Sequence, residues 1–78
     1  MYEDTKRVDA AKVRPGDYIG ITAEGHVAHT VGQLAGGKFE RVEKIGLGRF
    51  AASIAIVAGG REHELVGDTR EVLRRSKP

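Results

Sequence analysis

The chain has 78 residues, with 13 lysines and arginines, 11 aspartates and glutamates, a formal net charge of +2 and no cysteine. A chain of this size buries only roughly 60% of the surface that its unfolded form exposes, which leaves room for one small core. We therefore expect a single domain over residues 1–78. The lack of cysteine excludes a disulfide framework and a thiolate zinc site, so aliphatic packing must supply the stability.

The chain has no apolar run that approaches the roughly 20 residues needed to span a bilayer. Its first seven residues are mostly charged or polar and lack the apolar segment of a secretory signal. These features predict a cytoplasmic protein without a membrane partner.

The whole chain reads as short strands joined by tight turns, because eleven glycines and two prolines interrupt it. Residues 7–10 are expected to form the first strand, and a turn then brings Val13 into the core. Pro15 and Gly16 favour a type II turn, whose amides the Asp17 carboxylate can bind. A second strand over residues 18–23 places Ile19 and Ile21 on the inner face.

The middle of the chain is expected to continue the sheet. Gly25 favours a hairpin turn that leads into a third strand over residues 27–34. Glycines near residue 36 reverse the chain again. In the next strand, residues 39–45, Phe39 and Ile45 share a face that Val42 does not, which predicts a bulge or a twist.

The most apolar segment, residues 50–58, predicts a central strand covered on both faces, with Phe50, Ala52 and Ile54 on one side. A helix is the alternative, since Phe50, Ile54 and Val57 also fit a helical spacing. Strands over residues 62–66 and 69–73 complete the pattern, with Val72 or Leu73 turned inward, and residues 1–5 and 75–78 are expected to fray. Without a helix to cover it, such a sheet has to curl.

The turn and core residues carry a family resemblance. They include Val8-Asp9-Ala10, Val13-Arg14-Pro15-Gly16-Asp17-Tyr18-Ile19 and Thr69-Arg70-Glu71-Val72-Leu73. The chain resembles the small Src-homology-three-like barrels of actinobacteria and their phages. The resemblance implies an all-β, partly open barrel of five to six short antiparallel strands, with no enzymatic activity. Residues 24–37 look like an insertion relative to the usual five strands.

A weaker similarity connects the same region to KOW-type barrels, which bind nucleic acids and ribosomes. It runs through Gly16-Asp17, Ile19, Ile21 and Gly25. The chain departs from that motif where a further glycine is expected, because Ala28-His29-Thr30 precede Val31. This similarity therefore indicates shared architecture and does not by itself predict RNA binding.

No catalytic, cofactor or metal site stands out in the sequence. Neither Ser53 nor Ser76 has the surroundings of a nucleophile. The pattern Gly46-Leu47-Gly48-Arg49-Phe50-Ala51 matches a dinucleotide-binding motif in letters, but Gly59-Gly60 ends the next segment too early for a helix. The histidines, His26, His29 and His63, are expected at the surface and not as metal ligands. We expect no enzyme and no cofactor.

A basic patch is the strongest feature with a possible function. Its candidate contact residues are Arg14, Arg41, Arg70, Arg74, Arg75 and Lys77, with Tyr18 and Phe39 as possible stacking groups. An ordinary solvated surface explains the same residues.

The sequence leaves two hypotheses about function. The first is a non-enzymatic interaction module that contacts a protein partner, or a second copy of itself, through exposed turns or an open strand edge. The alternative is a nucleic-acid-binding barrel that uses the basic patch. They are distinguished by whether the C-terminal arginines form a continuous positive face with Arg14 or Arg41.

Overall fold

The computed structural model describes residues 4–78 apart from the side chain of Asp68, so part of the terminal segment expected to fray, residues 1–3, lies outside the described residues. The fold is one six-stranded sheet. Its strands are β1 (Lys6–Asp9), β2 (Tyr18–Ile21), β3 (Lys38–Leu47), β4 (Ile54–Ala58), β5 (Arg61–Leu65) and β6 (Glu71–Arg75). Three 3₁₀ turns connect them, Ala10–Lys12, Gly32–Leu34 and Gly67–Arg70.

The strand order is β1-β6-β2-β3-β4-β5, and every neighbouring pair is antiparallel. The predicted all-β fold class is confirmed. β1 and β5 are the two edges of an open sheet. Across residues 4–78, no helix is long and apolar enough to cross a membrane.

The main core lies on the inner, concave face of the sheet. Ile19, Val42 and Ile56 are fully buried there, and Val8 from one edge strand and Leu65 from the other join the same cluster. Because both edges contact one cluster, the sheet must curl, as the sequence predicts. Each large aliphatic side chain removed from water contributes about 1.5–3 kcal/mol to this closure.

The turn before β2 is built as its residues predict. Gly16 has a φ of +96°, and the Asp17 amide donates to the Arg14 carbonyl at 3.0 Å. The Asp17 carboxylate accepts the Arg14 amide at 2.9 Å. The backbone groups of Gly16 and Asp17 also pair with Val42, so the turn fixes the direction of β2 against β3.

The predicted third strand over residues 27–34 is wrong. Only Val27 forms a bridge, with Ile21, and the chain then turns through Gly32–Leu34. The reason is local hydrogen bonding: the Gln33 side chain accepts the His29 amide at 2.7 Å, and the Thr30 hydroxyl accepts the Gln33 amide. Such bonds compete with a strand ladder. We call residues 22–37 the excursion.

The excursion covers part of the outer face of the sheet. Its Ala28 and Leu34 are buried and pack with Leu73 of β6 and the partly buried Phe39 of β3. This second cluster explains why both Val72 and Leu73 are buried, although they point to opposite faces. The chain thus has cores on both sides of β6 and β2.

The apolar segment 50–58 forms a strand only from Ile54 onward, and no helix occurs there. The prediction that Phe50 belongs to that strand is wrong, because residues 48–53 form the loop between β3 and β4 and Phe50 is 67% exposed. The predicted covering of both faces is also wrong: Ile56 and Ala58 are buried, whereas Ala55 and Val57 are partly exposed. The glycine pattern at residues 46–51 is therefore followed by a strand and not by the helix of a dinucleotide-binding motif.

One further prediction is confirmed, and one strand boundary differs from the expectation. The register of β3 against β4 shifts between Val42 and Lys44, which confirms the predicted bulge. The last strand begins at Glu71 and extends through Arg75, one residue into the segment that was expected to fray.

Gly37 provides a test of how the excursion joins β3. A Cβ built on Gly37 would overlap the carbonyl oxygen of Ile21, whereas one built on Gly46 meets nothing within 4 Å. We predict that Gly37→Ala lowers the free energy of unfolding by about 1–3 kcal/mol, as overpacking does. Gly46→Ala, the matched control, should change it by no more than about 0.5 kcal/mol. Urea unfolding measures both, and equal stabilities would contradict this packing.

Candidate functional site

Three polar or aromatic side chains form a straight row across the outer face of the sheet. Tyr18 of β2 is paired with Arg75 of β6 on one side and with Arg41 of β3 on the other. Directly opposed residues of antiparallel strands point to the same face, with Cβ atoms about 4.5–5.5 Å apart. Because the next residue, Ile19, is buried in the inner core, this face is the outer one. We call Arg41, Tyr18 and Arg75 the outer-face row.

A stacking contact orients one end of the row. The Arg75 guanidinium carbon lies 4.8 Å from the centre of the Phe39 ring. A cation–π contact of this kind contributes about 0.5–1 kcal/mol at an exposed site. It holds the planar guanidinium over the sheet and leaves its charge uncompensated.

The side chains of the outer-face row are not engaged by acids. Among residues 4–78, no ion pair or hydrogen bond involves the side chain of Arg41, Tyr18 or Arg75. At the other end of β6, the Glu71 carboxylate is paired with Arg7 at 2.8 Å. The Arg75 Nε is buried without a partner in residues 4–78, so the terminal guanidinium nitrogens of Arg75 and the guanidinium of the exposed Arg41 are the donors available to an anion.

The six predicted contact residues do not all lie on the same face of the sheet. Arg41 and Arg75 are brought together across Tyr18, as described. Arg14 is exposed in the turn that leads into β2, and Lys77 is exposed two residues beyond Arg75. Only Arg41 and Arg75 are therefore placed together on one face by the strand pairing.

Arg70 and Arg74 do not extend that surface. Arg70 donates to the Asp9 carboxylate at 2.8 Å and to the Ala52 carbonyl at 2.8 Å, so it ties the turn before β6 to the end of β1 and to the β3–β4 loop. The Arg70 contact and the Ala11 amide lower the pKa of Asp9, the amide having the larger effect. Arg74 is paired with Lys6 and Ile19, which puts it on the opposite face from Arg75.

The histidines do not all lie where the sequence predicts. His26 is exposed and His29 is half-buried, with its Nδ1 atom 2.7 Å from the Glu71 carbonyl oxygen. His63 is the correction: it is only 9% exposed, because it sits opposite Ile56 on the inner face of β5. Residues 4–78 contain no cluster of three or more histidines or acids arranged to hold a metal ion.

A second exposed feature is apolar. In the β3–β4 hairpin, Leu47 is 89% exposed and Phe50 is 67% exposed. The loop between them is ordered, since the Glu64 carboxylate accepts the amides of Arg49 and Phe50 at 2.8 and 3.3 Å. Ala52 holds a positive φ of 61° in the same loop. The sequence analysis missed this exposure because it placed Phe50 in the following strand.

Comparison of the chain with protein-family models, curated proteins and solved structures finds no significant match. Kinship with Src-homology-three-like or KOW-type barrels therefore stays a prediction from the residues quoted above. The argument about function rests on the geometry of the surface.

His63 gives a prediction about pH. Burial lowers the pKa of His63, and the charges of Arg61 and His26 act in the same direction against the opposing charge of Glu40. The unfolded chain therefore takes up a proton before the folded one does, so stability should fall as pH drops below about 6.5. Above that pH, His63 is neutral in both states and contributes no pH dependence.

We predict that unfolding measured between pH 7 and 5 shows this loss, and that His63→Leu reduces it. The exposed His26→Leu is the matched control and should retain most of the slope, because the charge of His26 is the smallest of these contributions to the lowered pKa of His63. A slope unchanged by His63→Leu would contradict the assignment.

Proposed function

We propose that this protein binds nucleic acid through the outer-face row. The observation that carries the proposal is the alignment of Arg75, Tyr18 and Arg41 on three adjacent strands. Of the three C-terminal arginines expected to form a continuous positive face with Arg14 or Arg41, only Arg75 lies with Arg41 on this face. Arg70 is engaged by Asp9 and by the Ala52 carbonyl, and Arg74 lies on the opposite face.

The chemistry of the row suits a phosphodiester chain. A guanidinium presents several donors in a plane and binds phosphate oxygens in a bidentate manner. The strand ladder fixes the spacing between Arg41 and Arg75, and the Phe39 ring restrains one of them, so less side-chain entropy is lost on binding. The modest net charge of +2 means that these local contacts, and not a general positive field, have to supply the affinity.

We predict that Arg41→Glu and Arg75→Glu each weaken nucleic-acid binding by about tenfold or more, because a hydrogen bond to a charged group contributes about 1.5–3 kcal/mol. Each change should also reduce the slope of log affinity against log salt by about 0.7–0.9, the value for one lost phosphate contact. Fluorescence anisotropy with a labelled oligonucleotide, repeated over a series of salt concentrations, measures both quantities.

The control is Arg49→Glu, which makes the same change of charge at an exposed arginine in the β3–β4 loop. It should leave the salt slope within error of the unmodified chain. Equal losses in all three variants would indicate a general charge effect, and no binding at low salt would exclude the function.

Contact with a second copy of the chain is a further candidate, favoured by the exposed Leu47 and Phe50. Large exposed apolar side chains on an ordered loop are typical of protein contacts. The loop lies on the β3–β4 hairpin, whereas the outer-face row joins β6, β2 and β3, so the two functions use different side chains. The open edge at β5 is continuous with this hairpin.

For this candidate, light scattering after gel filtration should show a dimer or larger assembly at high protein concentration. Leu47→Ser combined with Phe50→Ser should shift it to monomer, since the change removes two apolar contacts without altering charge. Val31→Ser, which also changes an exposed apolar residue, is the control. A monomer at every concentration would exclude self-association through this loop.

A further inference from the structure

We infer that the ligand of the outer-face row is a single strand, with a base stacked on the ring of Tyr18. This inference rests on the proposed function and specifies the class of nucleic acid. Its basis is the position of Tyr18 between two arginines whose side chains make no ion pair or hydrogen bond within residues 4–78, one of them, Arg75, being stacked on Phe39. A base lying on Tyr18 has its flanking phosphates directed toward Arg41 and Arg75, because those residues lie on either side of the ring.

The surroundings of the row do not suit a duplex. Reading a duplex in the major groove requires an inserted helix or two-stranded ribbon, since the groove is about 12 Å wide. In residues 4–78 the longest helical segment is the four-residue turn Gly67–Arg70, and it does not project from the row. The β3–β4 hairpin end carries the exposed Leu47 and Phe50 and a single arginine, Arg49, so its tip lacks a cluster of phosphate-binding groups.

The excursion limits access to the same face. Leu34 lies over the centre of β2: a Cβ at Gly20 would be 3.1 Å from the Leu34 Cδ1 atom and 3.4 Å from the Leu73 Cβ atom. The outer face is therefore covered at Gly20, whereas two residues earlier Tyr18 is half-buried and keeps part of its surface exposed. A flexible single strand can follow this short, partly exposed row, with each base free to turn its flat side onto an aromatic ring.

The stacking role of Tyr18 is tested with two substitutions at the same position. Tyr18→Leu removes the ring and retains an apolar side chain, whereas Tyr18→Phe retains the ring. Labelled single-stranded DNA and RNA of about eight nucleotides, together with a duplex of the same length, serve as probes, a length within the range of known single-strand sites. Circular dichroism and thermal unfolding establish that each variant is folded.

We expect Tyr18→Leu to weaken single-strand binding by about fivefold to 150-fold, the range that corresponds to loss of one stacked base. The salt slope should not change, because no charge is lost. Tyr18→Phe should bind within about twofold of the unmodified chain, on the same stacking argument. Equal binding of DNA and RNA would indicate that the base and phosphate chemistry they share is recognised, whereas a preference would identify which strand is the ligand.

A second measurement avoids any loss of folding in the leucine variant. The chain has two tyrosines, Tyr2 and Tyr18, and no tryptophan. In a Tyr2→Phe background, Tyr18 is the only tyrosine, and stacking of a base should quench its fluorescence in proportion to binding.

The outcomes separate the two levels of the proposal. If the chain binds no nucleic acid at low salt, both the proposed function and this inference are wrong. Two results would overturn the stacking inference alone. One is a duplex that binds as tightly as the single strand; the other is the absence of any effect both in Tyr18→Leu and in the fluorescence of Tyr18. In either case phosphate binding by Arg41 and Arg75 stands.

Discussion

Gly20 is the position on which both faces of this sheet depend. It lies in the middle of β2, and its lack of a side chain lets Leu34 and Leu73 pack directly on the outer face. A larger residue there would have to displace the Leu34 side chain. On the inner face, the neighbours Ile19 and Ile21 are buried in the main core. β2 is therefore held from both sides, although it is only four residues long.

That double packing determines where a ligand can reach the sheet. The excursion packs over Gly20, whereas Tyr18 and Arg75 are half-buried and Arg41 is exposed, so the row of two arginines and one tyrosine keeps part of its surface accessible. The strand ladder then sets the spacing of the charges. A rigid scaffold with an open surface at one end is a typical arrangement for a binding site, since the scaffold limits the entropy lost on binding.

The fold could largely be predicted because its signals are local. Gly16 and Asp17 determine a turn through their own conformations and hydrogen bonds, and the alternation around Ile19 and Ile21 identifies the buried face. The error over residues 27–34 has a physical origin: Val27 and Val31 favour a strand, but hydrogen bonds among His29, Thr30 and Gln33 stabilise a turn. The expectation that His63 lies at the surface is wrong because alternation along β5 directs it inward, opposite Ile56.

The site could be predicted only in part, because it depends on strand order. Tyr18, Arg41 and Arg75 were each named from the sequence, but nothing local shows that β2 lies between β3 and β6. The sequence also does not show that the side chains of Arg74 and Arg75 lie on opposite faces of the sheet. Both Val72 and Leu73 are buried, so the apolar pattern of β6 does not reveal which of the following arginines lies on the outer face. The ion pair of Arg70 with Asp9 joins distant parts of the chain and leaves no sequence signal.

The most direct test of the account is a nuclear magnetic resonance titration of the ¹⁵N-labelled chain with a single-stranded oligonucleotide of about eight nucleotides. The account predicts that the largest shifts of amide resonances fall at Tyr18, Arg41 and Arg75 and at their neighbours on the outer face. Resonances of the β3–β4 loop and of β5 should be almost unaffected. Shifts concentrated at Phe50 or along β5, or no shifts at all, would contradict it.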